Sequence, residues 1–190
     1  MRPKNAGFPQ AVDNLWISAD VTQPAQRLRD PDGLADAPFH LVLVEPQIPP
    51  NTGNVARLCA ATGCALHLVE PLGFSIDDRA LKRAGLDYWD KLEVAVHPGL
   101  EQALAYFKER AWLFTTRATR RYDKVVYRQG DALVFGKETA GLPAETTERY
   151  ADRSVRIPML ANRVRSLNLS TAVGIATYRA LAGLDFPHFI

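Results

Sequence analysis

The chain of 190 residues is long enough for one domain with a sizeable core, and its 47% hydrophobic and 23% charged content is that of an ordinary soluble globular protein. Its 23 basic and 21 acidic residues leave a net charge of +2, too balanced for wholesale electrostatic binding of nucleic acid, so any such surface has to arise by local clustering. The two cysteines, Cys59 and Cys64, stand close together in an apolar segment, which fits buried free thiols and gives neither a zinc site nor a disulfide framework.

In chain order, Met1–Pro38 comes first and carries five of the 13 prolines among scattered apolar residues. It reads as an N-terminal extension, partly ordered or flexible, with one short strand or turn at Leu15–Val21 and no chemistry of its own. The polar, proline-bearing start is unlike a secretory leader. No apolar run approaches the roughly 20 residues that span a bilayer, so a cytoplasmic protein with no membrane partner is expected.

From Phe39 to Ile190 strand and helix patterns alternate. FHLVLVE (Phe39–Glu45) is a continuous apolar run, as in a strand buried on both faces. Asn51 then stands as a cap before a helical pattern that stops at Gly63. Ala65–Glu70 is a second strand, Asp77 caps a short helix through Arg83, and Leu92–His97 is a third strand. Leu100–Arg110 is an amphipathic helix, and Ala111–Thr116 a fourth strand. A basic loop leads to a fifth strand at Asp131–Gly136. Ser154–Met159 is short and β-like, and Ser166 caps a last helix running to Leu184. This order implies an α/β fold with a mainly parallel sheet flanked by helices. Ligands on such sheets bind beyond the carboxyl ends of the strands, where the polar, glycine-bearing segments fall here. The missing GxGxxG after the first strand disfavours a dinucleotide site.

Three segments carry more polar chemistry than turns require. In PPNTGNVAR (Pro49–Arg57), Asn51 and Asn54 can bond local backbone, Gly53 permits close approach, and Arg57 lies near a strand end. In LVFGKETAGLP (Leu133–Pro143), a buried strand ends in Gly136, the carboxylate of Glu138 follows, and Gly141 supports a second turn. In RIPMLANRVRSLNLSTAVGIATY (Arg156–Tyr178), a plain capped helix explains Ser166 but not Arg163, Arg165, Asn168 and Ser170. The small residues that follow permit close packing within the chain or against a second subunit.

Together these segments resemble the SPOUT class of methyltransferases, in its RNA 2′-O-ribose branch, over nearly all of Phe39–Leu184. NTGNVAR, VFGKETAGL and IPM with SLNLSTA are similar to the branch's three motifs in order. VEPQIPPNTGNVARLCAATG, LHLVEPLGF and RAGLDYW resemble the short enzymes that methylate the ribose of cytidine or uridine at the tRNA wobble position, 34, of leucine isoacceptors.

That resemblance implies a C-terminal deep trefoil knot, a homodimer, tRNA as substrate, S-adenosyl-L-methionine as cofactor and no metal. By motif, Phe114, Thr115, Gly136, Glu138, Ile157, Ser166 and Leu167 are its cofactor-lining positions, and Arg57, Ser166 and Asn168 its catalytic-centre positions. Lys82, Arg83, Arg117, Arg120, Arg121, Lys124, Arg163 and Arg165 are expected to meet RNA phosphates, the best cluster being RATRRYDK (Arg117–Lys124). Tyr88, Trp89 and Tyr178 are candidates to stack on a base. The loop between Met159 and Ser166 is one residue longer than in the similar enzymes, and Arg179 follows Tyr178 where an acidic residue is common. The alternatives left open are the same reaction on another tRNA or rRNA nucleotide, and a knotted RNA-binding protein without activity.

Overall fold

Among the described residues six short strands, most of them apolar, pair into one sheet in which every neighbouring pair is parallel. The computed structural model describes residues 37–75, 92, 94–187 and 189–190. The strands are β1 (Phe39–Val44), β2 (Ala65–Val69), β3 (Val94–His97), β4 (Ala111–Phe114), β5 (Asp131–Phe135) and β6 (Ser154–Val155), in the order β3-β2-β1-β5-β4-β6. The helices are α1 (Pro49–Thr62), α2 (Leu100–Phe107), α3 (Ala144–Arg149) and α4 (Leu169–Ala182). The chain first builds outward from β1 to β3. It then crosses to the other side, so the order reverses between β1 and β5, and a crevice opens there beyond the strand ends.

Side chains alternate across each strand and divide the core in two. On one face Phe39, Leu41, Leu43, Leu66 and Leu133 meet Val55 and Cys59 of α1 and Val173, Ala176 and Leu181 of α4. On the other, Val42, Val44, Leu113 and Val134 meet Ala103, Leu104 and Phe107 of α2. Burial on both faces is why β1, β2 and β5 read as largely apolar runs. Cys59 and Cys64 are free and buried; burial pushes both thiols up, Cys64 to about 11, so neither is a nucleophile near neutrality.

The α2 side also holds three buried histidines in series. His40 Nδ1 lies 3.0 Å from His67 Nε2, and His67 Nδ1 lies 2.9 Å from His97 Nε2. All three rings pack around Phe107. Burial holds them neutral, pushing His40 down to about 4 and His67 further, with His97 shifted the same way.

Several boundaries differ from the sequence pattern. Asn51 is not the cap of α1: the helix starts at Pro49, after Ile48, because two prolines preset the first turn and need no N–H partners. Ser166 is likewise not the cap of α4. Asn168 is, its side chain accepting from the Thr171 amide, and the preceding residues stay outside the helix. The strand expected through Met159 pairs only to Val155, with one further bridge from Arg156 to Arg121, and β4 ends at Phe114 rather than Thr116. Helix α3 had no separate pattern in the sequence. Gly63 ends α1 at φ +72°, its amide bonding the Cys59 carbonyl, as its position after the apolar pattern predicted. The expectations for Leu15–Val21, the Asp77 helix, Lys82, Arg83, Tyr88 and Trp89 lie outside the described residues, as does all of the N-terminal extension except its last two residues. Pro38 joins the sheet margin through a 2.7 Å bond from the Gly130 amide to its carbonyl. Among the described residues no helix is long and apolar enough to cross a membrane.

Candidate active site

The segments that leave β1, β4, β5 and β6 enclose a cleft of about 540 Å³, within the range of small-molecule sites. Phe114 and Phe135, the last residues of adjacent strands, stack with ring centres 4.6 Å apart and form an apolar floor. Thr115, Thr116 and Arg117 follow on one side, Gly136–Gly141 on another, and Ile157, Met159 and Arg165–Leu169 on a third. Ile48 and Asn51 close it from α1. This arrangement offers flat apolar contact, strand-end backbone groups and the hydroxyls of Thr115, Thr116 and Ser166. Those features suit a nucleoside-bearing cofactor. Among the described residues no group of three or more His, Cys, Asp or Glu side chains is placed to hold a metal ion.

Gly136 is fixed by crowding. A Cβ there would sit 2.1 Å from the Gly141 carbonyl carbon and the Leu142 nitrogen, so only glycine lets the two passes of the loop touch. Gly141 turns at φ +70° and its amide bonds the Lys137 carbonyl at 2.8 Å, giving the second turn expected from the sequence. The loop is then tied to the end of β1 by Lys137 Nζ to Glu45 at 2.6 Å and Thr139 Oγ1 to Gln47 at 2.8 Å.

A directed chain of hydrogen bonds crosses the cleft mouth. The Glu138 carboxylate accepts from the Gln47 amide at 2.9 Å, the Ile48 amide at 3.2 Å and Asn51 Nδ2 at 2.9 Å. Glu138 thus pins the entry to α1 from a distant loop, where the helix has no side-chain cap of its own. Asn51 Oδ1 then accepts from Asn168 Nδ2 at 2.9 Å. Asn168 Oδ1 accepts from Ser170 Oγ at 2.8 Å and from the Thr171 amide at 3.3 Å. Both ends fix the polarity. An ionised carboxylate only accepts and a backbone N–H only donates, so each amide between them has one allowed orientation.

The sequence-derived cofactor positions Phe114, Thr115, Gly136, Glu138, Ile157, Ser166 and Leu167 all line this cleft, as do Asn168, Arg117 and Arg165. Arg57 does not: it is exposed on α1, beyond Asn51 along the helix, and is not among the lining residues. The basic cluster is more tied down than its sequence implied. Arg117 donates to the Leu142 carbonyl at 2.8 Å and Arg120 to the Asp152 carbonyl at 3.2 Å. Arg121 makes a two-pronged pair with Asp123 at 2.9 and 2.7 Å; their hydrogen bond raises the arginine and lowers the acid. Each guanidinium keeps further donors for a phosphate. Arg163 and Lys124 are exposed, and Tyr178 is 48% exposed with its ring 6.1 Å from that of Phe186. Sequence reasoning saw Asn51 only as a cap. Its partners lie 87 and 117 positions away, and nothing local announces them.

Comparison with known proteins supplies the chemistry's context. Residues 38–178 match the family model described as the SpoU rRNA Methylase family. The chain is 49% identical over 153 residues to the tRNA (cytidine(34)-2′-O)-methyltransferase of Saccharophagus degradans, covering 78% of this chain and 97% of that protein. A solved structure described by its 2-OH methylation of C/U34 on tRNA superposes with a TM-score of 0.71 at 44% identity, covering 77% of this chain and 96% of that one. The AdoMet-bound rRNA methyltransferase of Sinorhizobium meliloti shares the fold, with a TM-score of 0.69 at 24% identity over 84% of this chain and 62% of its own length.

Proposed function

Because the chain belongs to the SpoU rRNA methylase family, we propose that it transfers a methyl group from S-adenosyl-L-methionine to the ribose 2′-hydroxyl of the wobble nucleotide of tRNA, cytidine or uridine 34 of leucine isoacceptors. The observation that carries this reading is the meeting of the three sequence motifs in one cleft, joined by the chain from Glu138 through Asn51 to Asn168. The cofactor's sulfonium supplies an electrophilic methyl group, so the protein's task is orientation and proton handling. Phe114, Thr115, Gly136, Ile157, Ser166 and Leu167 would hold the cofactor. Glu138 contributes by fixing the entry to α1 from within the cleft lining.

The 2′-hydroxyl has to lose a proton as it attacks. Arg57 is a poor base, since its pKa lies above about 12. Its role in this reading is to grip the adjacent phosphate and stabilise the developing alkoxide beside Ser166 and Asn168. Arg117, Arg120, Arg121, Arg163 and Arg165, with Lys82 and Arg83, serve the tRNA phosphates. Tyr178 is a stacking candidate for an exposed base.

The working unit in this proposal is a homodimer whose C-terminal part forms the family's trefoil knot, acting in the cytoplasm. A Cβ built at Gly53 of α1 or Gly174 of α4 would meet no described atom within 4 Å. Mid-helix glycine costs about 1 kcal/mol relative to alanine, and in this reading these two glycines are where a second copy would approach.

The test is methyl transfer to total tRNA followed by nucleoside mass spectrometry. The expected product is 2′-O-methylation at position 34 of leucine isoacceptors, and Arg57→Lys is expected to lower turnover by roughly 100-fold. Methylation confined to other positions, or none, sinks the assignment. Near-full turnover of Arg57→Lys would remove the phosphate-gripping role alone.

A further inference from the structure

We propose that Ser170 is a positioning residue for this reaction: its hydroxyl holds the Asn168 carboxamide as a hydrogen-bond donor toward the reacting ribose. The inference rests on the reading above that Asn168 belongs to the reaction centre. Capping of α4 needs only the bond from the Thr171 amide to Asn168 Oδ1, and that bond is long at 3.3 Å. The tighter hold on the same oxygen is the Ser170 hydroxyl at 2.8 Å. An amide oxygen has two lone pairs, and these two donors fill both.

Asn168 therefore has nothing left to accept a proton with. On its other side one Nδ2–H is given to Asn51 Oδ1 at 2.9 Å, and Asn51 is itself oriented by Glu138. The remaining Nδ2–H belongs to a side chain that lines the cleft. What Asn168 can present to a ribose is thus a donor, the polarity that stabilises a developing alkoxide. The last torsion of an asparagine is broad, so a single long bond on the oxygen would let the amide rock. Ser170 removes that freedom. This accounts for the polar residue beyond Asn168 that capping leaves unexplained.

The test compares Ser170→Ala, Ser170→Thr and Asn168→Ala in methyl transfer at saturating tRNA and S-adenosyl-L-methionine. Thermal unfolding and side-chain amide NMR are followed in parallel. Ser170→Ala is expected to lose about 10-fold in kcat with both KM values and Tm nearly unchanged, and to broaden or double the Asn168 amide resonances. Ser170→Thr, which keeps the hydroxyl, is expected to recover most of the rate. Wild-type kcat in Ser170→Ala beside an inactive Asn168→Ala overturns the inference and leaves the functional reading standing. So does a loss that merely follows a fall in Tm and that Ser170→Thr fails to rescue. Full turnover by Asn168→Ala refutes the placement of Asn168 in the reaction centre, and the role of Ser170 with it.

Discussion

Lowering the pH should undo the fold through the buried histidine series. His40 is 4% exposed and His67 fully buried, and both are held neutral in the folded chain mainly by desolvation. Arg110 adds to the depression of His40, and Asp131 opposes it. For His67 the neighbouring rings of His40 and His97 act in the same direction as burial. An unfolded histidine takes up its proton near pH 6.5. Above that pH the folded and unfolded chains bind the same protons at these sites, and stability is unaffected. Below it the unfolded chain gains protons that the folded chain refuses, so stability falls as pH falls. The slope is about 1.4 kcal/mol per pH unit for each such ring. For His40, held to about 4, the loss reaches about 3 kcal/mol before levelling off. His67, held lower, loses a similar amount over the same range and continues to lose below it. The sum by pH 4 is about 6 kcal/mol before His97 is counted, a large share of the 5–15 kcal/mol that typically holds a domain together. Urea unfolding at half-unit steps from pH 7.5 to 5 measures this. His40 and His67 should together cost the wild type about 2 kcal/mol per unit in the lower half of that range, and His67→Leu should show a slope lower by about 1. A flat profile, or an unchanged slope in His67→Leu, would refute the reasoning.

Two substitutions test the glycines. Gly136→Ala places a methyl group against the Gly141–Leu142 backbone, which has no side-chain freedom to yield; a loss of at least about 2 kcal/mol in urea unfolding is expected. An unchanged midpoint would mean the loop closes differently. A Cβ at Gly174 meets no described atom within 4 Å, so Gly174→Ala should retain the monomer fold while sedimentation equilibrium shows the dimer weakened. A dimer of wild-type affinity in that variant would move the contact elsewhere.

What the sequence made legible was whatever depends on near neighbours. A strand buried on both faces is mostly apolar, so β1, β2 and β5 were visible as runs despite the buried His40, His67 and Asp131 they carry. Gly63 and Gly141 were visible because chain reversals at positive φ favour glycine. Helix starts were less legible because several residues nearby were all competent to begin a helix. Asn51 competed with Pro49 and Pro50, and Ser166 with Asn168. In each case the start is set locally, by the two prolines that preset the first turn of α1 and by the Asn168 side chain that accepts from the Thr171 amide. The three motifs converge in the fold, since all the cofactor positions they named line one cleft. They could not show that Glu138 spends its carboxylate on the Gln47 and Ile48 amides just before α1, or that three of the loop arginines are already bonded to the chain.

The same distinction explains why Asn51 was undervalued although Asn168 was not. Asn51 is a common capping residue, and at the level of local sequence a cap is a sufficient account of it. In the folded chain Asn51 and Asn168 are two amides in series between a carboxylate that can only accept and a backbone amide that can only donate. The order of donors and acceptors along that series cannot be reversed without leaving a like pair face to face. Position in the motif therefore sets more than which atoms line the cleft. It sets which of them arrive as donors, and for a reaction that builds negative charge on a ribose oxygen that polarity is the part of the geometry that matters.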